Sequence, residues 1–322
     1  MATAAKLALP AHPLHSYEEA VFVDDTQLTR RRLLAGLGAL GAVAMAGCGR
    51  RGPVTSGLAE VAPQAAATPA FAVFQGQYEL LVGAGQRVVF GLATLQGEPL
   101  LDADVEVRCV AENGQVGAAV RPTFHQGLAA FPVYLATVDV PAPGVGYVVV
   151  TSPDRARGGE FAIRAVDPAD SATVAPGQRA ITARTPTTAD PLGAFQICTR
   201  RLNGQYAPCG MHASSLDQVL AAGRPVMLSF ATPQFCTSAM CGPVVDTIET
   251  VRASRDWGDL AWLHVEIFRD AGGKTFMEAV DAWHLPSEPW LFAIDRTGTV
   301  VDRLEGPIIA DELPPLAARI GT

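Results

Sequence analysis

The chain has 322 residues, 49% of them hydrophobic and 17% charged, a composition that excludes an intrinsically disordered chain and leaves room for about two domains. With 24 Lys+Arg against 32 Asp+Glu the net charge is -8, which excludes a dedicated nucleic-acid binder, because that affinity comes mainly from basic groups on phosphates. Six cysteines are too few for a disulfide-dense scaffold, so their positions carry the information.

The chain begins with a polar stretch that leads to Thr29-Arg30-Arg31-Arg32-Leu33-Leu34 and then to an uncharged run ending at Cys48. That run, Leu33 to Gly47, is 15 residues long, short of the roughly 20 that span a bilayer as a permanent helix. It reads as an export signal over residues 1–47. The paired arginines before a mildly apolar stretch resemble a twin-arginine signal, and Met45-Ala46-Gly47-Cys48 resembles a bacterial lipobox, which implies a lipid on Cys48 and an extracytoplasmic, membrane-anchored protein. Removing residues 1–47 deletes four positive and four negative groups, so the acidity belongs to the exported part. Residues 48–69, rich in Gly, Ala, Thr and Pro, are expected to be a flexible tether without fold.

Residues 70–167 contain short alternating runs between turn signals: 87–92, 105–110, 134–138, 147–150 and 161–164. Their period of two predicts antiparallel strands, and their spacing resembles an immunoglobulin-like β-sandwich. Cys109 falls in phase with Val105 and Val107 and is expected in the core; His125 is expected in a surface turn. The composition shifts again over 168–193, where Pro168, Pro176, Pro186 and Pro191 mark a linker.

The last segment, 194–322, opens with Cys198 and Cys209, eleven positions apart around the turn signal Asn203-Gly204. In an exported protein this pair reads as a structural disulfide, with a thiol relay to the later cysteines as the alternative. Met211-His212 follows, with lining of the site or copper binding as the functional readings and helix capping by a partly buried histidine as the structural one. A short helix capped by Ser214 or Ser215 and stopped by Gly223 precedes the apolar strand 225–230. Cys236 and Cys241 come next, at the junction with a helix that carries Val244, Val245, Ile248 and Val251. A thiol there faces unpaired N–H groups and the positive end of the helix dipole, which favours thiolate. A second thiol nearby can resolve a mixed disulfide. Five positions of continuous helix diverge by roughly 140°, so the two sulfurs can meet only through a loop or local unwinding.

The order βαβαββα over about 130 residues, with Pro243 after the cysteines and the Glu288-Pro289 pair before a strand, resembles the thioredoxin-like fold. The fold class expected is therefore α/β, a thioredoxin-like C-terminal domain joined to an N-terminal all-β immunoglobulin-like sandwich. The resemblance implies a thiol–disulfide oxidoreductase with Cys236 attacking, Cys241 resolving, and Glu288 and Pro289 forming a cis-proline loop. Thioredoxins keep two residues between their cysteines where this chain has four, and Ser229 stands where they carry a buried carboxylate; Glu266 is the candidate acid/base in its place. Thr232-Pro233, Cys236-Thr237 and Cys241 also resemble the Q-type peroxiredoxins, with Phe235 as one residue too many. A third reading, copper handling as in Sco-type lipoproteins, would use Cys236, Cys241 and a histidine, but those proteins space their cysteines three apart and carry the histidine in a later loop, whereas His264 lies within a strand here. The opposing class is a non-enzymatic cell-surface binding protein in which both C-terminal cysteine pairs are structural. Trp283 and Trp290 are expected in the core. No organic cofactor and no metal are expected. The partners implied are protein thiols and disulfides, a membrane or extracytoplasmic redox partner, and the membrane itself through the lipid on Cys48, with no nucleic acid.

Overall fold

The computed structural model describes residues 53–67, 70–128 and 131–321. The export signal, the paired arginines and Cys48 lie outside them. Among the described residues, no helix is long and apolar enough to cross a membrane.

The alternating runs of the first half become strands β1 (Phe71–Gln75), β2 (Glu79–Leu81), β3 (Gly83–Thr94), β4 (Glu106–Val110), β5 (Thr123–Leu128), β6 (Phe131–Val140), β7 (Gly144–Thr151) and β8 (Gly158–Val166). They form two four-stranded sheets, ordered β1-β3-β6-β5 and β2-β8-β7-β4, with antiparallel pairing except between β2 and β8. Every second residue of the facing strands enters one core: Val88 and Phe90 from β3, Val107 and Cys109 from β4, Tyr134 and Ala136 from β6, Val148 and Val150 from β7. Burial pushes the Cys109 thiol up to about 12, with Asp139 adding to the effect, so it fills space as expected and does no thiolate chemistry. His125 pairs with Val133 within β5, not in a turn.

The expected tether differs as well. Ser56 caps α1 (Gly57–Val61) by accepting from Ala59 N–H, and α2 (Pro63–Ala67) follows. Leu58, Ala62 and Ala65 cover Val110 and Val149 on the outer face of the second sheet. That face is apolar, and leaving it in water would forgo roughly 25 cal/mol per Å² of burial.

In the second half a two-stranded ribbon, β9 (Arg201–Leu202) and β10 (Gln205–Tyr206), precedes α3 (Leu216–Ala221), β11 (Val226–Ala231), α4 (Cys241–Ala253), β12 (Ala261–Glu266), α5 (Glu278–Ala282), β13 (Trp290–Ile294), β14 (Val300–Glu305) and α6 (Leu313–Arg319). The strands β11–β14 form one sheet ordered β12-β11-β13-β14, in which β12 runs parallel to β11 while β13 runs antiparallel. Met227, Ala231 and Leu291 face α4 and α6; Val226, Leu228, Phe230, Trp283 and Trp290 pack on the opposite side.

The fold class expected from the sequence is corrected here. The described chain is mostly β, with fourteen strands in four sheets against six α-helices, five of them seven residues or shorter. The α/β thioredoxin-like description does not hold for it. The helices are short beside the sheets: α5 spans only Glu278–Ala282 and α6 only Leu313–Arg319.

Residues 168–193 are no free linker. The segment adds to the edge of the last sheet, with Gly177 N–H donating to Val300 O and Val300 N–H to Gln178 O. The two halves are then joined by buried charge. Arg303 on β14 donates to Glu79 on β2 at 2.8 Å and to Ser171 Oγ. Arg87 on β3 pairs with Glu312 at 2.6 Å, and Tyr78 N–H donates to Glu305.

Candidate active site

Strand β11 ends at Ala231, and a loop over 232–240 carries the chain to the first residue of α4, Cys241. This loop is what lets two cysteines five apart meet. Cys236 N–H donates to Thr232 O and Ala239 N–H to Cys236 O, while Ala239 takes a left-handed φ of 58°. The extra residue Phe235 stacks edge-on against Phe268 with ring centroids 5.4 Å apart. It lies so close to Gly273 that a Cβ there would meet its ring at 2.8 Å. Pro243 stands in the first turn of α4, where its missing N–H leaves no gap in the helix ladder.

The sulfurs of Cys236 and Cys241 are 3.0 Å apart. Cys236 is half-buried at the mouth of the loop and Cys241 is fully buried. The Cys236 thiol is pulled down to about 5, first by the hydrogen bond from Cys241, then by Ser238 and by the backbone N–H groups of Cys241 and Met240, against the opposing cost of burial. Ser238 Oγ lies 3.1 Å from its sulfur. Burial, followed by the neighbouring Cys236, drives the Cys241 thiol far up. The pair is thus one thiolate and one thiol.

The bond between Glu288 and Pro289 is cis, and the Glu288 carboxylate lies within 4.8 Å of both sulfurs. Burial raises its pKa, and the negative Cys236 raises it further. Glu266, the acid/base candidate of the sequence, is held elsewhere. It is fully buried at the end of β12, accepting from the backbone N–H and the hydroxyl of Thr199, each at 2.8 Å. The sequence offered Glu288 only as the residue before a proline; its approach to the cysteines depends on the packing of the β13 entrance against the loop.

Cys198 and Cys209 are not joined. Both are free and buried, with their sulfurs 3.8 Å apart, whereas a disulfide holds them at about 2.05 Å. In the structure the pair stands as a dithiol. His212 Nε2 approaches Cys209 Sγ at 3.2 Å and His264 Nδ1 approaches it at 3.4 Å. The other ring nitrogen of His264 donates to Ala231 O at 3.1 Å. Both nitrogens are thereby turned away from the Cys236–Cys241 pair, and the ligand set of the copper reading is not brought together. Thr232, whose hydroxyl would meet a peroxide in the peroxidase reading, is fully buried.

Beside the Cys236 loop, Ser238, Met240 and Pro307 share a cavity of about 300 Å³ with Phe74, Phe90 and Val133 of the first sheet. Its walls are predominantly apolar.

No family model matches the chain. No curated protein matches it. Among solved structures it is similar to a DUF4785 family protein from Legionella pneumophila, at 19% sequence identity and a TM-score of 0.20. That similarity covers 30% of this chain and 28% of the other, so the chain spans less than a third of that protein.

Proposed function

We propose that the chain is an exported thiol–disulfide oxidoreductase, anchored to the membrane by a lipid on Cys48, that works through Cys236 and Cys241. The observation that carries this reading is the division of the pair into a half-exposed thiolate and a buried thiol. As a reductant, the Cys236 thiolate attacks one sulfur of a substrate disulfide, forming a Cys236–substrate disulfide and releasing the other sulfur as thiolate. Cys241 then loses its proton to Glu288 and attacks Cys236, forming the Cys236–Cys241 disulfide and releasing the second substrate thiolate. Two electrons pass from protein to substrate. The reverse sequence oxidises a substrate dithiol.

The low pKa of Cys236 stabilises the reduced pair and so favours that reverse direction, as in oxidants whose attacking thiol is strongly acidic. We place the potential between about -270 and -120 mV, the values of a strongly reducing and a strongly oxidising dithiol protein. The apolar cavity beside Ser238 and Met240 suits an extended, apolar polypeptide segment as substrate.

Trapping tests the reading. Cys241→Ser should accumulate mixed disulfides on Cys236, and Cys236→Ser should not. If neither variant accumulates them and the wild type neither reduces nor oxidises a model disulfide or dithiol, the proposal fails.

A further inference from the structure

We propose that Cys198, Cys209, His212 and His264 form a buried tetrahedral zinc site that ties the β9–β10 ribbon to the strands carrying the Cys236 loop. This goes beyond the redox reading and shares no ligand with it.

The geometry is that of a closed zinc centre. All four side chains are buried, with relative exposures of 0%, 6%, 2% and 1%, and one donor atom from each lies within 4.8 Å of the others. A tetrahedral ion with Zn–S of about 2.3 Å and Zn–N of about 2.0–2.1 Å sets its S···S edge near 3.8 Å and its S···N edges near about 3.5 Å. The observed edges are 3.8 Å between the sulfurs and 3.2 and 3.4 Å from Cys209 to the two imidazoles. A disulfide would account for neither histidine.

The chemistry fits as well. Two thiolates cancel the charge of Zn²⁺ and two neutral imidazoles complete four ligands, so the centre can be buried without net charge. Donation from His264 Nε2–H to Ala231 O fixes the tautomer whose Nδ1 lone pair faces Cys209, the outer-shell contact that ligating histidines ordinarily make. Loading replaces the thiol protons of Cys198 and Cys209 with the ion; both protons leave to solvent and no electrons move.

The site would brace the redox loop from two sides. His264 holds the last carbonyl of β11. Thr199, next to Cys198, uses its hydroxyl both to donate to Glu266 and to accept from Gln234 N–H within the loop. Four bound ligands leave no open position, which assigns the ion a structural role.

The full chain, purified under reducing conditions and dialysed after exposure to zinc, should retain about one equivalent by elemental analysis. Titration of the zinc-free chain with Co²⁺ should give the ligand-field bands of a tetrahedral ion and thiolate-to-cobalt charge transfer, with about two protons released per ion. Cys209→Ser and His264→Gln should lose these signals, whereas the double variant Cys236→Ser/Cys241→Ser should keep them. If the folded wild type retains less than a tenth of an equivalent and shows no cobalt spectrum, or holds copper in place of zinc, the site is not a zinc centre. Loss of the metal from the Cys236/Cys241 double variant would equally overturn the assignment.

Discussion

The acidity of Cys236 makes a prediction that differs from the usual view that a low pKa makes a faster thiol. With a pKa of about 5 against about 8.5 for an ordinary cysteine, the thiolate fraction at pH 7 rises from about 3% to nearly all, a gain of about 30-fold. The same 3.5 units weaken the thiolate as a nucleophile, by about 25- to 55-fold for a Brønsted slope of 0.4–0.5. The two effects cancel, so at pH 7 Cys236 should be alkylated about as fast as a free cysteine peptide. At pH 5.5 they do not cancel: the thiolate gain is then several hundredfold and Cys236 should react about 20-fold faster than the peptide. The assay is the rate of alkylation of the Cys236 peptide, followed by mass spectrometry from pH 4 to 9. A rate level above about pH 6 and halved near pH 5 is the expected result. Because the largest cause of the shift is the hydrogen bond from Cys241, Cys241→Ala should move the inflection upward. An inflection between pH 8 and 9 in the wild type would refute the reasoning, and with it the thiolate on which the proposed chemistry starts.

Two predictions concern the junction between the halves. Burial raises the Glu305 carboxyl to about 7 despite donation from Ser287 and Tyr78 N–H. Its folded pKa exceeds the unfolded one, so the stability it contributes is fully present below about pH 4.3 and is lost as pH rises through 7, by at most about 4 kcal/mol. Urea midpoints at pH 5 and pH 8 should show this fall in the wild type and not in Glu305→Gln; an equal slope in both would assign the effect to another group. Replacing Glu79 with Ala leaves Arg303 buried without its carboxylate and should cost about 3–5 kcal/mol, while Glu79→Met with Arg303→Met should recover most of it. Equal losses in the single and double variants would show that the ion pair is not what holds this contact.

Much of the strand structure was legible because its physical signal is local. Val88 and Phe90, or Val107 and Cys109, alternate with outward residues, and one buried face is enough to produce that pattern. The covering of the second sheet by α1 and α2 was not legible from their own sequences, since five-residue helices hold little more than one turn and no period. The trace lies in the partner strand: Tyr147-Val148-Val149-Val150 is apolar in both phases, and a strand apolar on both faces needs cover on both. The helix expected around 276–283 is present as α5, with Met277 at its cap and Val280 within it packed against the sheet and Phe276 just before it stacked on Phe268.

The two cysteine pairs show where sequence spacing stops being informative. For Cys236 and Cys241 the spacing posed the right constraint, that continuous helix could not join them, and the loop over 232–240 is how the chain meets it. For Cys198 and Cys209 the local reading was also sound: Asn203 and Gly204 both take left-handed φ, 51° and 77°, and close a hairpin that brings the sulfurs together. What that reading lacked was the third dimension. His264 arrives from β12, 55 positions after Cys209, and a strand histidine flanked by Leu263 and Val265 carries no mark of a ligand in its neighbours. Only the parallel pairing of β12 with β11, which sets His264 opposite Ser229, carries its ring to the foot of the hairpin. The difference between a staple and a metal centre is then under 2 Å of sulfur separation. Neither spacing nor composition can encode that difference; the metal proposal rests on the two imidazoles against Cys209.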